Sequence, residues 1–96
     1  MARKIVRLRM TGRVQGVGFR AFIADEAERR ELSGWVRNRG DGSVEALIAG
    51  DNEIVDEMIE ICRRGPYGSG VENLAIEATG ETDLTGRSGF EILRTV

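Results

Sequence analysis

Ahead of an apolar stretch with helical spacing, the chain reads Gly12-Arg13-Val14-Gln15-Gly16-Val17-Gly18-Phe19-Arg20. Three glycines in seven residues let the backbone turn successive N–H groups inward, an arrangement that cups an anion. A helix beginning at this loop would aim its own unpaired N–H groups, and the positive end of its dipole, at the same spot. Arg20, in the first turn, could add a forked and permanently charged grip on two oxygens. Oxyanion recognition is the chemistry open to these residues. On the loop alone, an ordinary strand-to-helix turn with a solvated arginine accounts for them equally well.

What the sequence omits narrows the choice. Its 96 residues include no histidine and one cysteine, Cys62. Ser-His-Asp and Cys-His nucleophiles are therefore excluded, together with the common zinc and haem ligand sets. Arginine, carboxylate, amide, hydroxyl and main chain remain. Two familiar phosphate-binding patterns also fail. Gly16-Val17-Gly18-Phe19-Arg20-Ala21 formally fits G-x-G-x-x-A, but a dinucleotide fold needs a longer chain and an acid about 20 residues on, where Arg37, Asn38 and Arg39 stand. A Walker loop would require Lys-Ser/Thr after Gly18, and Phe19 follows instead.

Net charge is −2, yet the first 20 residues hold Arg3, Lys4, Arg7, Arg9, Arg13 and Arg20 and no acid. A locally positive segment on a mildly acidic protein suits a small anionic ligand better than a nucleic-acid wrap. Arginine's dominance over the single lysine, Lys4, leaves codon bias as a competing explanation. No apolar run exceeds the four residues of Ala21–Ala24 or Ala46–Ala49, far short of the roughly 20 that a membrane helix needs. The N-terminus offers no continuous core for a secretory signal, and one cysteine closes no intrachain disulfide. These features lead us to expect a single cytoplasmic domain over residues 1–96, away from membranes.

The elements that must position the loop follow from periodicity. Residues 4–11 alternate, with Val6, Leu8 and Met10 on one face, which predicts a strand. Phe19, Phe22, Ile23 and Ala27 recur at helical spacing, and the helix is expected to run to Leu32, with Ser33-Gly34 breaking it. Trp35–Arg39 alternates as a second strand, Gly40-Asp41-Gly42-Ser43 is a hairpin turn, and Val44–Ala49 returns. Gly50-Asp51 opens a second helix. Its stripe is Ile54, Val55, Met58, Ile59 and Cys62, and Arg63-Arg64-Gly65-Pro66 ends it. Val71–Ala78 is a further strand, Gly80–Gly89 a polar segment and Phe90–Arg94 a short last strand. Cys62, on the apolar stripe, reads as packing. The pairs Asp25-Glu26 and Asp56-Glu57 read as solvated helix charge.

Two βαβ units joined by a hairpin imply an α+β ferredoxin-like βαββαβ sandwich. We expect one antiparallel sheet of four strands plus a short fifth, with both helices on one face. Right-handed crossovers make the second strand parallel to the first, with the return strand between them. The glycine loop and Asn38 then share one sheet edge, roughly 10 Å apart. Asn38 alternates with Val36 and so faces the helical side, where the loop enters its helix.

The loop at 12–20, together with Gly34-Trp35-Val36-Arg37-Asn38 and Asp41-Gly42-Ser43-Val44-Glu45, closely resembles the acylphosphatase family. The likeness extends through Arg64-Gly65-Pro66, Val71 and Gly89-Phe90-Glu91-Ile92. It implies a ferredoxin-like fold and metal-free, cofactor-free hydrolysis of acyl phosphates to a carboxylate and phosphate by a monomer. Carried over by position, Arg20 would bind the phosphoryl group with the backbone of Gln15, Gly16, Val17, Gly18 and Phe19, and Asn38 would orient the attacking water. Ala21 stands where members often carry a larger residue, and Tyr67-Gly68-Ser69-Gly70 is unusually rich in glycine.

Two other readings remain. Arg7, Arg9, Trp35, Arg37 and Arg39 on an exposed sheet face could bind RNA, but such faces use two or three stacking aromatics and only Trp35 is available. Cross-strand ion pairs with Glu45 and Glu77 account better for those arginines. A family member that binds phosphate without turning over substrate is the third possibility.

Overall fold

The computed structural model describes residues 2–79 and 89–96. The alternating N-terminal stretch becomes β1 (Arg3–Arg13), which buries Val6, Leu8 and Met10 on its helix-facing side. After the glycine loop come α1 (Phe19–Arg29), β2 (Ser33–Asn38), β3 (Val44–Asp51), α2 (Asn52–Arg64), β4 (Gly70–Ala78) and β5 (Phe90–Ile92). Apolar residues of one sheet face pack against Phe19, Ile23 and Ala27 of α1 and against Val55, Met58, Ile59, Ile61 and Cys62 of α2. Each of the larger of these side chains, the Phe, Ile, Val and Met, contributes about 1.5–3 kcal/mol when withdrawn from water, before entropy is counted, so these two stripes fix the helices to the sheet. Burial pushes the Cys62 thiol up to about 12, leaving it inert packing.

Strand order is β4-β1-β3-β2-β5. β3 lies between β1 and β2 and runs against both, so β1 and β2 are parallel and their C-terminal ends share an edge. The fold is the expected ferredoxin-like sandwich, with one correction: the sheet is mixed. β5 pairs with β2 in parallel, Val36 opposite Ile92. β4 runs against β1 and hence against β2, so β4 and β5, at the two edges, run in opposite directions. Three paired residues carry too short a pattern to betray their direction. The expected Gly80–Gly89 segment lies outside the described residues except for Gly89.

α1 stops earlier than its apolar spacing suggests. Leu32 N–H reaches back to the Ala27 carbonyl (2.9 Å) and Glu31 N–H to that of Glu28 (3.1 Å), while Glu31 takes a φ of 56°. This is a Schellman-type end, with glutamate where glycine is easier, and Leu32 is buried from beyond the helix. Ser33-Gly34 opens β2 instead of forming a break. A Cβ added at Gly34 (φ 138°) would lie 1.8 Å from the Leu47 carbonyl oxygen, so the close β2–β3 approach requires glycine. α2 begins as expected, Asp51 accepting from Glu53 N–H at 3.0 Å.

Opposite the helices, the sheet face is charged. The Glu45 carboxylate, only 4% exposed, accepts from Arg37 Nε and Arg39 Nη1, both at 2.9 Å, and lies 3.7 Å from Arg7 Nε. Arg37 also stacks 4.6 Å over Trp35, Arg7 lies 3.9 Å from Glu77, and Arg9 lies 4.0 Å from Asp41. These are the cross-strand pairs expected of a structural face. Burial alone would raise the Glu45 pKa, but the Arg37 and Arg39 hydrogen bonds outweigh it and hold the carboxyl below its ordinary 4.5. A depressed folded-state pKa supplies stability above the unfolded-state value, and that stability drains as pH falls through the folded one. Urea titrations should therefore show the wild-type midpoint falling from about pH 5 to pH 3 more steeply than that of Glu45→Gln. At neutral pH the variant should lose about 1–3 kcal/mol, because it leaves the half-buried Arg37 and Arg39 without their charged acceptor. Parallel pH slopes would place the acid-sensitive group elsewhere.

Candidate active site

At the edge shared by β1 and β2, the loop 14–18 enters α1 through two left-handed glycines, Gly16 (φ 77°) and Gly18 (φ 76°). Gly18 is the N-cap of α1, so no side chain caps that end, and its first turn carries no acid. The second helix differs: its own Asp51 fills the corresponding position. Phe22 N–H donates to the Gly18 carbonyl at 3.0 Å, fixing the start of the helix directly beneath the loop. The positive end of α1 thus remains open for an external anion.

The expected residues converge. Gly16, Gly18, Phe19, Arg20 and Ala21 line a cleft of about 270 Å³, with Val14 beneath, Asn38 from the end of β2 and Ile92 from the end of β5. Among the described residues, neither the Arg20 guanidinium nor the Asn38 carboxamide has a hydrogen-bond or ion-pair partner, and both are half-buried. Arg7, Arg37 and Arg39 on the far face, by contrast, are engaged by Glu45. A charged fork and an amide held in one cleft without protein partners are arranged to meet a ligand.

Asn38 is fixed through its main chain. It pairs with Val44 across the sheet, and its carbonyl accepts from Val96 N–H at 3.2 Å. The adjoining hairpin is held by Asp41, whose carboxylate accepts from Ser43 N–H (2.9 Å) and Oγ (2.6 Å). Those hydrogen bonds lower the Asp41 pKa. Of the Asp41-Gly42 pair, only Gly42 takes a positive φ (95°).

Two expected residues do not line the cleft with their side chains. Val17 packs against the core. Gln15 turns across to the hairpin, its Nε2 donating to the carbonyls of Arg39 and Ser43, each at 2.9 Å. The carboxamide thereby ties the glycine loop to the turn that follows Asn38. Reading the sequence gave Gln15 only a main-chain role. Its two amide protons were the available signal, but acceptors 24 and 28 residues away carry no local pattern. Ile92 was missed for a related reason, since its place depends on the parallel pairing of β5.

Larger depressions exist elsewhere and offer less. One lies over Arg7, Glu45 and Glu77, where the charges already face one another. Another surrounds Asp51 and Asn52, at the helix end that Asp51 caps.

Comparison with known proteins gives the family. The family model described as Acylphosphatase matches residues 6–92. An acylphosphatase from Rhodopseudomonas palustris (strain BisB5) is 48% identical, the match covering all of both chains. Among solved structures, the acylphosphatase from Bacillus subtilis superposes with a TM-score of 0.85 at 38% identity, covering 93% of this chain and 97% of the other. That from Coxiella burnetii gives 0.86 at 28% identity, covering 95% and 93%. With a matching model over nearly its whole length and relatives that it covers end to end, the chain belongs to the acylphosphatase family.

Proposed function

We propose that the cleft hydrolyses the carboxyl–phosphate bond of acyl phosphates without a metal or cofactor, releasing a carboxylate and inorganic phosphate. The observation that carries this reading is the meeting, around one small cleft, of an uncapped helix start with Arg20 and Asn38 side chains that have no partner among the described residues. The phosphoryl oxygens would rest on the main-chain N–H groups of Gln15 to Phe19 and on the Arg20 guanidinium. The Asn38 carboxamide would hold water on the open side, in line with the bond to be broken.

Phosphoryl transfer passes through a loose transition state with its charge on the peripheral oxygens, so positioning and electrostatic stabilisation supply most of the catalysis. Of the described residues lining the cleft, only Arg20 is ionisable, and arginine does not give up its proton near neutral pH. The site therefore offers no general acid for an alkoxide leaving group. A carboxylate, whose conjugate acid has a pKa of about 4, departs without help. That selects a mixed anhydride over a phosphate monoester. The water's proton would pass to the phosphate oxygens of the substrate.

Supporting observations extend the reading to the whole protein. The residues assigned to the phosphate and the water all come from one chain, so the reading needs no partner copy and takes residues 1–96 as a single functional domain. Engagement of the sheet arginines by Glu45 argues against nucleic acid as the partner. Among the described residues, no helix is long and apolar enough to cross a membrane, and the lone Cys62 suits the cytoplasm. Purified protein given benzoyl phosphate and a chelator should release benzoate and phosphate. Phosphate binding without turnover would make it a binding-only member of the family, and salt-sensitive RNA binding without turnover would move the function to the sheet face.

A further inference from the structure

The β1–β3 and β2–β3 ladders end on the same rung: Met10 and Asn38 both pair with Val44. Beyond it the segments part. Thr11, Gly12 and Arg13 pair with β4 through Asn73, Val71 and Gly70, while the turn at 39–43 continues past the ends of β2 and β3. The ladders therefore do not fix how far the glycine loop lies from the turn that follows Asn38. Gln15 spans that gap. From a half-buried position its Nε2 donates to the Arg39 and Ser43 carbonyls, each at 2.9 Å. Both partners are acceptors, so only the amide nitrogen can face them. Among the described residues no other side-chain hydrogen bond joins the two segments. The turn itself closes without these bonds. The Ser43 carbonyl also accepts from Arg39 N–H at 2.9 Å, and the Arg39 carbonyl from Gly42 N–H at 3.0 Å, so each oxygen keeps a main-chain partner if Gln15 is removed. A side chain that directs both donors at carbonyls already bonded adds little to the turn and much to its distance from the loop.

We infer that the Gln15 carboxamide is a positioning group, setting the separation of the glycine loop from the turn at 39–43 and thereby the alignment of the Asn38-held water with the phosphoryl group. The inference rests on the catalytic reading above. The Gln15 side chain does not line the cleft, so its effect runs through Asn38. Arg39 is the link. Its carbonyl is held by Gln15 and its guanidinium by Glu45, which leaves the backbone directly after Asn38 little freedom to shift. A displacement of about 1 Å between reacting groups can cost on the order of 10²-fold in rate. A phosphate seated on the loop would keep its main-chain amides and Arg20 throughout.

The test is a double-mutant cycle on benzoyl phosphate hydrolysis, with wild type, Gln15→Met, Asn38→Ala and the two combined, read beside competitive inhibition by inorganic phosphate. Methionine matches glutamine in length and donates nothing. Gln15→Met should lower kcat roughly 10–100-fold and leave the phosphate inhibition constant within about twofold of wild type. In the Asn38→Ala background the same change should cost less than about threefold, because the group it aligns has gone. Thermal unfolding checks the fold, and Gln15→Ala repeats the measurement with the bulk removed as well. Equal fold-losses of kcat in both backgrounds would overturn the inference, and so would a wild-type kcat in Gln15→Met. A phosphate inhibition constant rising in step with the loss of kcat would overturn it too, since that reports damage to the phosphate cup. If neither variant folded, Gln15 would hold the fold and not the alignment. Each of those results leaves the catalytic reading standing, whereas absence of turnover in the wild type would overturn that reading and the positioning role with it.

Discussion

Arg20→Ala should lose turnover of an acyl phosphate by at least about 10³-fold and lose measurable binding of inorganic phosphate as well. A charged fork in the first turn of an uncapped helix faces whatever sits on the loop, and among the described residues the cleft lining contains no second cation to take its place. The loss would be chemical and not structural. The guanidinium has no protein partner among the described residues, and alanine is the better helix former at that position. Phosphate-dependent broadening in ³¹P NMR reads the binding, and thermal unfolding confirms the fold. If the variant bound phosphate with wild-type affinity, the anion would lie somewhere other than this cup.

A different split is expected at Asn38. Asn38→Ala should reduce kcat by about 10²–10³-fold while phosphate affinity stays within about twofold of wild type. The carboxamide is assigned to the water, so the bound phosphate keeps its main-chain amides and Arg20 when it is removed. The backbone at 38 is held by pairing with Val44 and by Val96 N–H, neither of which involves the side chain. Measuring phosphate affinity by ³¹P NMR beside single-turnover rates separates the two roles. If Arg20→Ala and Asn38→Ala lost binding and turnover in the same proportion, the two side chains would share one task and the assignment of water to Asn38 would fall.

Much of this geometry was legible because it depends on short-range pattern. Alternation at Val6, Leu8 and Met10 set the buried face of β1, and the parity of Val36 and Asn38 put the asparagine on the helical side, where the structure has it lining the cleft. Crossover handedness then sufficed to bring β1 and β2 to a common edge. Features governed by a distant partner were not legible. Leu32 continues an apolar stripe on paper, yet the chain leaves the helix at Glu31 and returns it to the core from outside. Gly34 resembles a breaker until the Leu47 carbonyl beside it is known. The Gln15 carboxamide and the Ile92 side chain take their places from the hairpin and from β5, far along the sequence.

The cleft draws its walls from residues 14–21, from Asn38 and from Ile92, so the beginning, middle and end of the chain must all be in place before it closes. The hairpin of β2 and β3 can form early because its ends are neighbours in sequence, whereas β1 must find β3 and β4 across long separations, and such closures come late in folding. Synthesis proceeds from the N-terminus, which delivers Arg20 and Asn38 from the ribosome well before Ile92. The cleft therefore closes only after the last strand has been made.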